Sequence, residues 1–149
     1  MSGMVILIAS DHRGMQLKEG LTAWLKEHHY TPKDLGSHSE ARCDASDFAK
    51  KLAEELKTGA APFGVLICGS GQAMAMTANR YRNVRAALCV NAEMARLARQ
   101  HNDANVLALG ADIIDAITAQ NCLDVFLKTV FLGGRYADRR DKLTDLGGL

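Results

Sequence analysis

Short, wholly apolar runs alternate with amphipathic segments from one end of this chain to the other, and few folds satisfy that order. Residues 4–10 form an almost unbroken apolar run, the signature of a strand buried on both faces. Residues 15–28 then place Met15, Leu17, Leu21, Trp24 and Leu25 at helical spacing. Residues 31–36 read as a short, weak strand, and 44–57 as a helix with Phe48, Leu52 and Leu56 on one stripe. A second strong strand over 63–68 leads into a short helix near 73–79. A strand over 84–90, a helix over 92–100, a strand over 105–109 and a long amphipathic helix over 113–131 follow, before a basic tail. Such repeated β–α units predict an α/β fold: a doubly wound (Rossmann-like) five-stranded parallel sheet, order 2-1-3-4-5, with helices on both faces. Ligands of such sheets bind beyond the carboxyl ends of the strands where the order reverses, here between the first and third strands.

The totals exclude several classes. A chain of 149 residues fits one domain, 1–149, with a core that needs no disulfide support. Its 18 basic and 17 acidic residues nearly balance, so composition makes no case for nucleic acid. Cys43, Cys68, Cys89 and Cys122 form no C-x-x-C pair and lack zinc-like spacing, so neither a metal nor another cofactor is expected. The first apolar run lacks the basic flank and the length of a signal peptide. No stretch approaches the roughly 20 apolar residues of a membrane span. The expectation is a cytoplasmic protein with reduced thiols and no membrane partner.

The crevice position is where the informative residues fall. The third strand delivers Cys68 into Gly69-Ser70-Gly71-Gln72, followed by the helical Ala73-Met74-Ala75. Loop amides and a helix N-terminus would then face one point and stabilise an anion there: a phosphate, a thiolate or an oxyanion. The plain alternative for Cys68 is a small buried hydrophobe at a strand end, which is the reading kept for Cys89 and Cys122. The loop is neither a dinucleotide fingerprint nor a Walker loop, because Met74 replaces the third glycine and no Gly-Lys follows. Acyl chemistry through a Cys/His pair stays open, without a local signature. The first strand ends in Asp11-His12-Arg13-Gly14, a second polar cluster. His101-Asn102-Asp103 suits a helix C-cap, with Asn102 left-handed and His101 favourable to the dipole, and does not exclude catalysis. Arg135 and Arg139 are spaced i, i+4, so on a helix they project to one side, as a solvated surface or as a phosphate pair.

Taken together, Ser10-Asp11-His12, Asp44, Ile67-Cys68-Gly69-Ser70-Gly71, Ala78-Asn79, the stretch from Arg99-Gln100-His101-Asn102-Asp103 through Val106-Leu107, and Gly133-Gly134-Arg135 with Arg139 resemble the type B ribose-5-phosphate isomerases and their galactose-6-phosphate and allose-6-phosphate relatives. The resemblance covers nearly the whole chain. It implies an aldose–ketose isomerase with ribose 5-phosphate and ribulose 5-phosphate as the default pair. It also implies Cys68 as the base that moves a proton between the two carbons, and His101 as the group that opens the ring. Asp11 and Asn102 would hold hydroxyls, and the amides of Gly69, Ser70, Gly71, Gln72 and Ala73 the enediolate. His12, Arg135 and Arg139 would grip the phosphate. The family implies a homodimer or homotetramer with sites at the interface, a C-terminal arm at about 132–149 reaching the partner subunit. The chemistry is physically coherent: abstracting a proton beside a carbonyl needs a base near the operating pH and fixed dipoles for the oxyanion.

The chain departs from that pattern in places. Gly69-Ser70-Gly71-Gln72-Ala73 stands where Gly-Thr-Gly-x-Gly is usual, so Ala73 adds a methyl beside the substrate. Asp44-Ala45-Ser46 replaces Asp-Tyr-Pro, Asp112 replaces a basic residue after the fifth strand, and Tyr136 replaces a histidine. These changes bear on sugar specificity: pentose, hexose and tetrulose phosphates all fit. A non-catalytic phosphosugar-binding homologue is the second reading, and a thiol redox protein, with no resolving cysteine nearby, the third.

Overall fold

The computed structural model describes residues 3–149. Strands and helices alternate as β1 (Val5–Ser10), α1 (Met15–Glu27), β2 (Thr31–Asp34), α2 (Ala45–Lys57), β3 (Phe63–Cys68), α3 (Gln72–Ala78), β4 (Ala86–Leu88), α4 (Ala92–Asn102), β5 (Val106–Gly110), α5 (Ala116–Lys128) and α6 (Arg135–Leu146). The paired strands all run parallel.

Period-two alternation in the central strands builds two cores at once. Ile6, Ile8, Val65, Ile67, Leu107 and Leu109 face one way, against Leu21 and Leu25 of α1, Ala95 and Ala98 of α4, and Cys122, Leu123 and Phe126 of α5. Leu7, Ala9, Leu66, Cys68 and Val106 face the other way, against Leu52 and Leu56 of α2 and Met74 and Ala78 of α3. That double burial explains why these strands are apolar at nearly every position. Among the described residues, no helix is long and apolar enough to cross a membrane.

The strand order is β2-β1-β3-β5-β4, not 2-1-3-4-5, so the last two strands exchange places. Burial gives the reason. β5 is buried at all its positions, whereas every residue of β4 is half-exposed. A strand bonded along both edges needs an apolar sequence, and Val106-Leu107-Ala108-Leu109-Gly110 has one. β4 pairs only with β5, through Ala86 with Val106 and Leu88 with Ala108, and forms the edge. The exchange leaves the reversal between β1 and β3 untouched.

The tail is a helix. α6 is tied to α4 by Arg140, which donates to Asp103 Oδ2 at 2.7 Å, and by the Leu132 amide, which donates to the Gln100 carbonyl at 3.1 Å. It carries no buried side chain.

Candidate active site

β1, β3 and β5 end together, and their register decides which side chains meet. Ser10 pairs with Ile67 and Cys68 with Gly110, so Asp11 and Cys68 are neighbours at the strand ends. The Asp11 amide donates to the Ile67 carbonyl at 3.1 Å, and Asp11 Oδ1 accepts from the amides of Arg13 (3.0 Å) and Gly14 (3.1 Å). This buried carboxylate therefore fixes the turn that starts α1.

Cys68 is 4% exposed, and the Gly71 amide donates to its sulfur at 3.2 Å. Gly71 turns the chain at φ +78°, a left-handed conformation that glycine alone adopts at no steric cost. The Cys68 and Gly69 carbonyls accept from the Ala111 and Asp112 amides at 2.8 and 2.9 Å, which staples the loop to the segment after β5. Ser70 Oγ accepts from the Gln72 amide at 3.3 Å. Gln72 and Ala73 are exposed, so the start of α3 opens to solvent beside the sulfur. Elsewhere in the core, burial pushes the Cys89 thiol up to about 12 and also raises that of Cys122.

His12 is half-buried and accepts at Nδ1 from the Cys43 amide at 3.3 Å. An amide can only donate, so the neutral ring carries its proton on Nε2, as a donor. Cys43 places its sulfur 3.9 Å from the same nitrogen. Nothing local signals a contact across 31 positions.

The remaining predicted residues lie elsewhere in the chain. α4 runs back along the sheet and ends where β5 begins, so His101 and Asn102 sit at the amino end of the strands. Cys68 sits at the carboxyl end, separated by the ~15 Å length of β5 at the usual rise per strand residue. The His101 ring stacks on Tyr136, with centroids 4.5 Å apart and planes 5° from parallel. The guanidinium carbons of Arg135 and Arg139 stand 5.0 and 5.7 Å from the same Tyr136 ring. Arg135 also donates to the Tyr136 hydroxyl at 3.1 Å, which holds its pKa above the ordinary value. His101, Arg135 and Arg139 thus form one patch, with Asn102 exposed beside it. The left-handed residue closing α4 is Asp103 (φ +49°) rather than Asn102, because Arg99 and Arg140 hold the Asp103 carboxylate.

The chain therefore carries two separated clusters: Asp11, His12, Cys68 and the loop amides at one end of the sheet, and His101, Asn102, Arg135 and Arg139 at the other. The sequence model of the Ribose/Galactose Isomerase family matches residues 6–143. The chain belongs to that family. Ribose-5-phosphate isomerase B of Escherichia coli (strain K12) is 34% identical over 139 residues, 93% of each chain. Among solved structures of the ribose/galactose isomerase family, the ribose 5-phosphate isomerase of Thermotoga maritima superposes with a TM-score of 0.94 at 43% identity, covering 96% of this chain and 99% of that one. Ribose-5-phosphate isomerase B from Mycoplasma genitalium with bound ribulose-5-phosphate gives 0.92 at 39% identity and covers 97% of each chain. Among the described residues, no cluster of three or more His, Cys, Asp or Glu side chains is arranged to hold a metal ion.

Proposed function

We propose that this chain is an aldose–ketose isomerase that interconverts ribose 5-phosphate and ribulose 5-phosphate, with its active site shared between two protomers. The observation that carries the reading is the Cys68 sulfur, aimed at the Gly71 amide beside Asp11 at the carboxyl edge of the sheet. The matching relatives, one of them solved with bound ribulose-5-phosphate, point to the same chemistry.

In this account His101 opens the sugar ring by proton transfer. Cys68, as thiolate, removes the proton from C2 of the open aldose, and the electron pair moves onto the carbonyl oxygen. The amides of the loop from Gly69 to Ala73 meet the oxyanion of the resulting enediolate, with that of Gly71 shared with the Cys68 sulfur and that of Gln72 with Ser70 Oγ. A proton passes between the two oxygens, and the thiol returns its own to C1, leaving the ketose. Asp11 and Asn102 hold hydroxyls; His12, Arg135 and Arg139 hold the phosphate. Since a protomer keeps its own His101, Asn102, Arg135 and Arg139 at the far end of the sheet, a partner protomer supplies them, in a homodimer or a homotetramer built from such pairs. The arm at 132–149 carries both arginines to that partner.

A second reading, isomerisation of a tetrulose or a hexose 6-phosphate, draws on Ala73 and on the half-buried Ala45, two places where the chain departs from the pattern it resembles. An NMR isomerisation screen over four-, five- and six-carbon phosphosugars decides between them. Fastest turnover of ribose 5-phosphate supports the first reading. Binding without turnover of any sugar overturns both and leaves a phosphosugar-binding homologue.

A further inference from the structure

The loops that follow β1, β3 and β5 contain the carboxylates Asp11, Asp112 and Asp115 and one permanent cation, Arg13. Asp11 and Asp115 are occupied as turn and helix caps, Asp115 accepting from the Thr118 amide at 2.8 Å. Arg13 and Asp112 hold each other instead. Arg13 Nε donates to Asp112 Oδ2 at 2.9 Å, and Nη2 donates to the same oxygen. The contact joins the loop after β1 to the loop after β5 and passes over the loop that follows Cys68. A Cβ built at Gly69 would stand 2.9 Å from Arg13 Nε and 2.9 Å from Asp112 Oδ2. The missing side chain at Gly69 is thus what lets the guanidinium lie against the amide loop.

Stability does not account for this pair. Its side chains are 59% and 48% exposed, and ion pairs so open to water add little to folding. What the arrangement does supply is a planar cation fixed along one edge. Both bonds to Asp112 leave through Nε and Nη2, so the two N–H groups of Nη1 and one of Nη2 are left over. Such an edge matches a phosphate, whose oxygens accept parallel N–H bonds in one plane. A guanidinium stays charged at any working pH, and the hydrogen bond to Asp112 favours that charged form further.

We propose that Arg13 binds the phosphate of the phosphosugar from the Cys68 protomer, with Asp112 as the positioning residue that fixes the guanidinium plane. The sugar part of this assignment rests on the isomerase reading; the phosphate part is testable without it. Asp112 then supplies orientation, and the positive charge comes from Arg13 in the loop after β1.

The test uses inorganic phosphate and ribose 5-phosphate as probes with the intact protein. Titration calorimetry of Arg13→Gln is expected to show phosphate binding weakened roughly tenfold or more, as for loss of a charge-assisted contact. KM for ribose 5-phosphate should rise by a similar factor while kcat changes less than about threefold, the mark of lost ground-state binding. Asp112→Asn should show the same KM-against-kcat split at smaller size, because the cation stays and only its orientation loosens. Both side chains are exposed, so thermal midpoints should match the parent. Unchanged phosphate affinity in Arg13→Gln, or a fall in kcat with KM unaltered, overturns the proposal. Arg13-dependent phosphate binding in a protein that isomerises no sugar upholds it and overturns the isomerase reading alone.

Discussion

The Gly71 amide donates to the Cys68 sulfur at 3.2 Å across a single tight turn. Strand β3 holds the sulfur and Gly71 holds the donor, so the geometry depends on one left-handed residue. Replacing Gly71 by alanine forces a side chain into φ +78°, with its Cβ 2.9 Å from the Leu109 carbonyl carbon and 2.5 Å from Leu88 Cδ1. Backbone strain and overpacking together should cost about 2–4 kcal/mol. Thermal unfolding should fall by roughly 5–15 °C, and turnover should fall with it even well below the midpoint. An unchanged midpoint would contradict the role given to this turn.

The proposal that two protomers share each site makes a stronger prediction. Cys68→Ser and His101→Ala should each be inactive as pure assemblies. Dissociated, mixed in equal amounts and reassociated, they should recover about a quarter of the parent activity. Half the dimers are then mixed, and one of the two sites in each is intact. Activity that stays at the level of the separate variants would place both residues in a single-chain site.

Arg135 and Arg139 flank Tyr136, and all three belong to the His101 patch. Replacing Arg139 by alanine should raise KM for the phosphosugar roughly tenfold or more while leaving kcat within about threefold, because a phosphate contact is equal in ground and transition states. Steady-state kinetics checks this. A kcat effect alone would move Arg139 from binding to chemistry.

Much of this was legible in the chain. β3, its loop and α3 are specified locally: an apolar run, two glycines and then good helix formers. The i, i+4 spacing of Arg135 and Arg139 is realised on α6 because Gly133 and Gly134 turn the chain into it, at φ +68° and +55°. The order of the last two strands was not legible, since it depends on which of them the sheet buries along both edges. An arm reaching a partner was expected for Arg135 and Arg139, but the separation of His101 from Cys68 was not legible. His101 lies far from Cys68 because α4 must run against the strands, and only the assembled fold states that. Contacts across 31 and 99 positions, Cys43 with His12 and Arg13 with Asp112, carry no local pattern.

Cys89 predicts an alkaline limb. Burial raises its thiol from 9.0 to about 12 in the folded chain, so the native state keeps a proton that the unfolded state loses. This contribution is fully present below pH ~9 and is lost progressively as pH rises toward ~12. Urea midpoints measured from about pH 8 to 10.5 should therefore fall less steeply for Cys89→Ala than for the parent. Parallel slopes would mean that Cys89 ionises as easily folded as unfolded.

The central claim is that the Cys68 sulfur carries a carbon-bound proton. Solvent deuterium incorporation into the sugar carbons of ribose 5-phosphate, followed by NMR in heavy water, tests it most directly. The parent should exchange during turnover, and Cys68→Ser should lose both exchange and isomerisation by about a hundredfold or more, the usual worth of a positioned base. Exchange by folded Cys68→Ser at the parent rate would assign the proton transfer to another group.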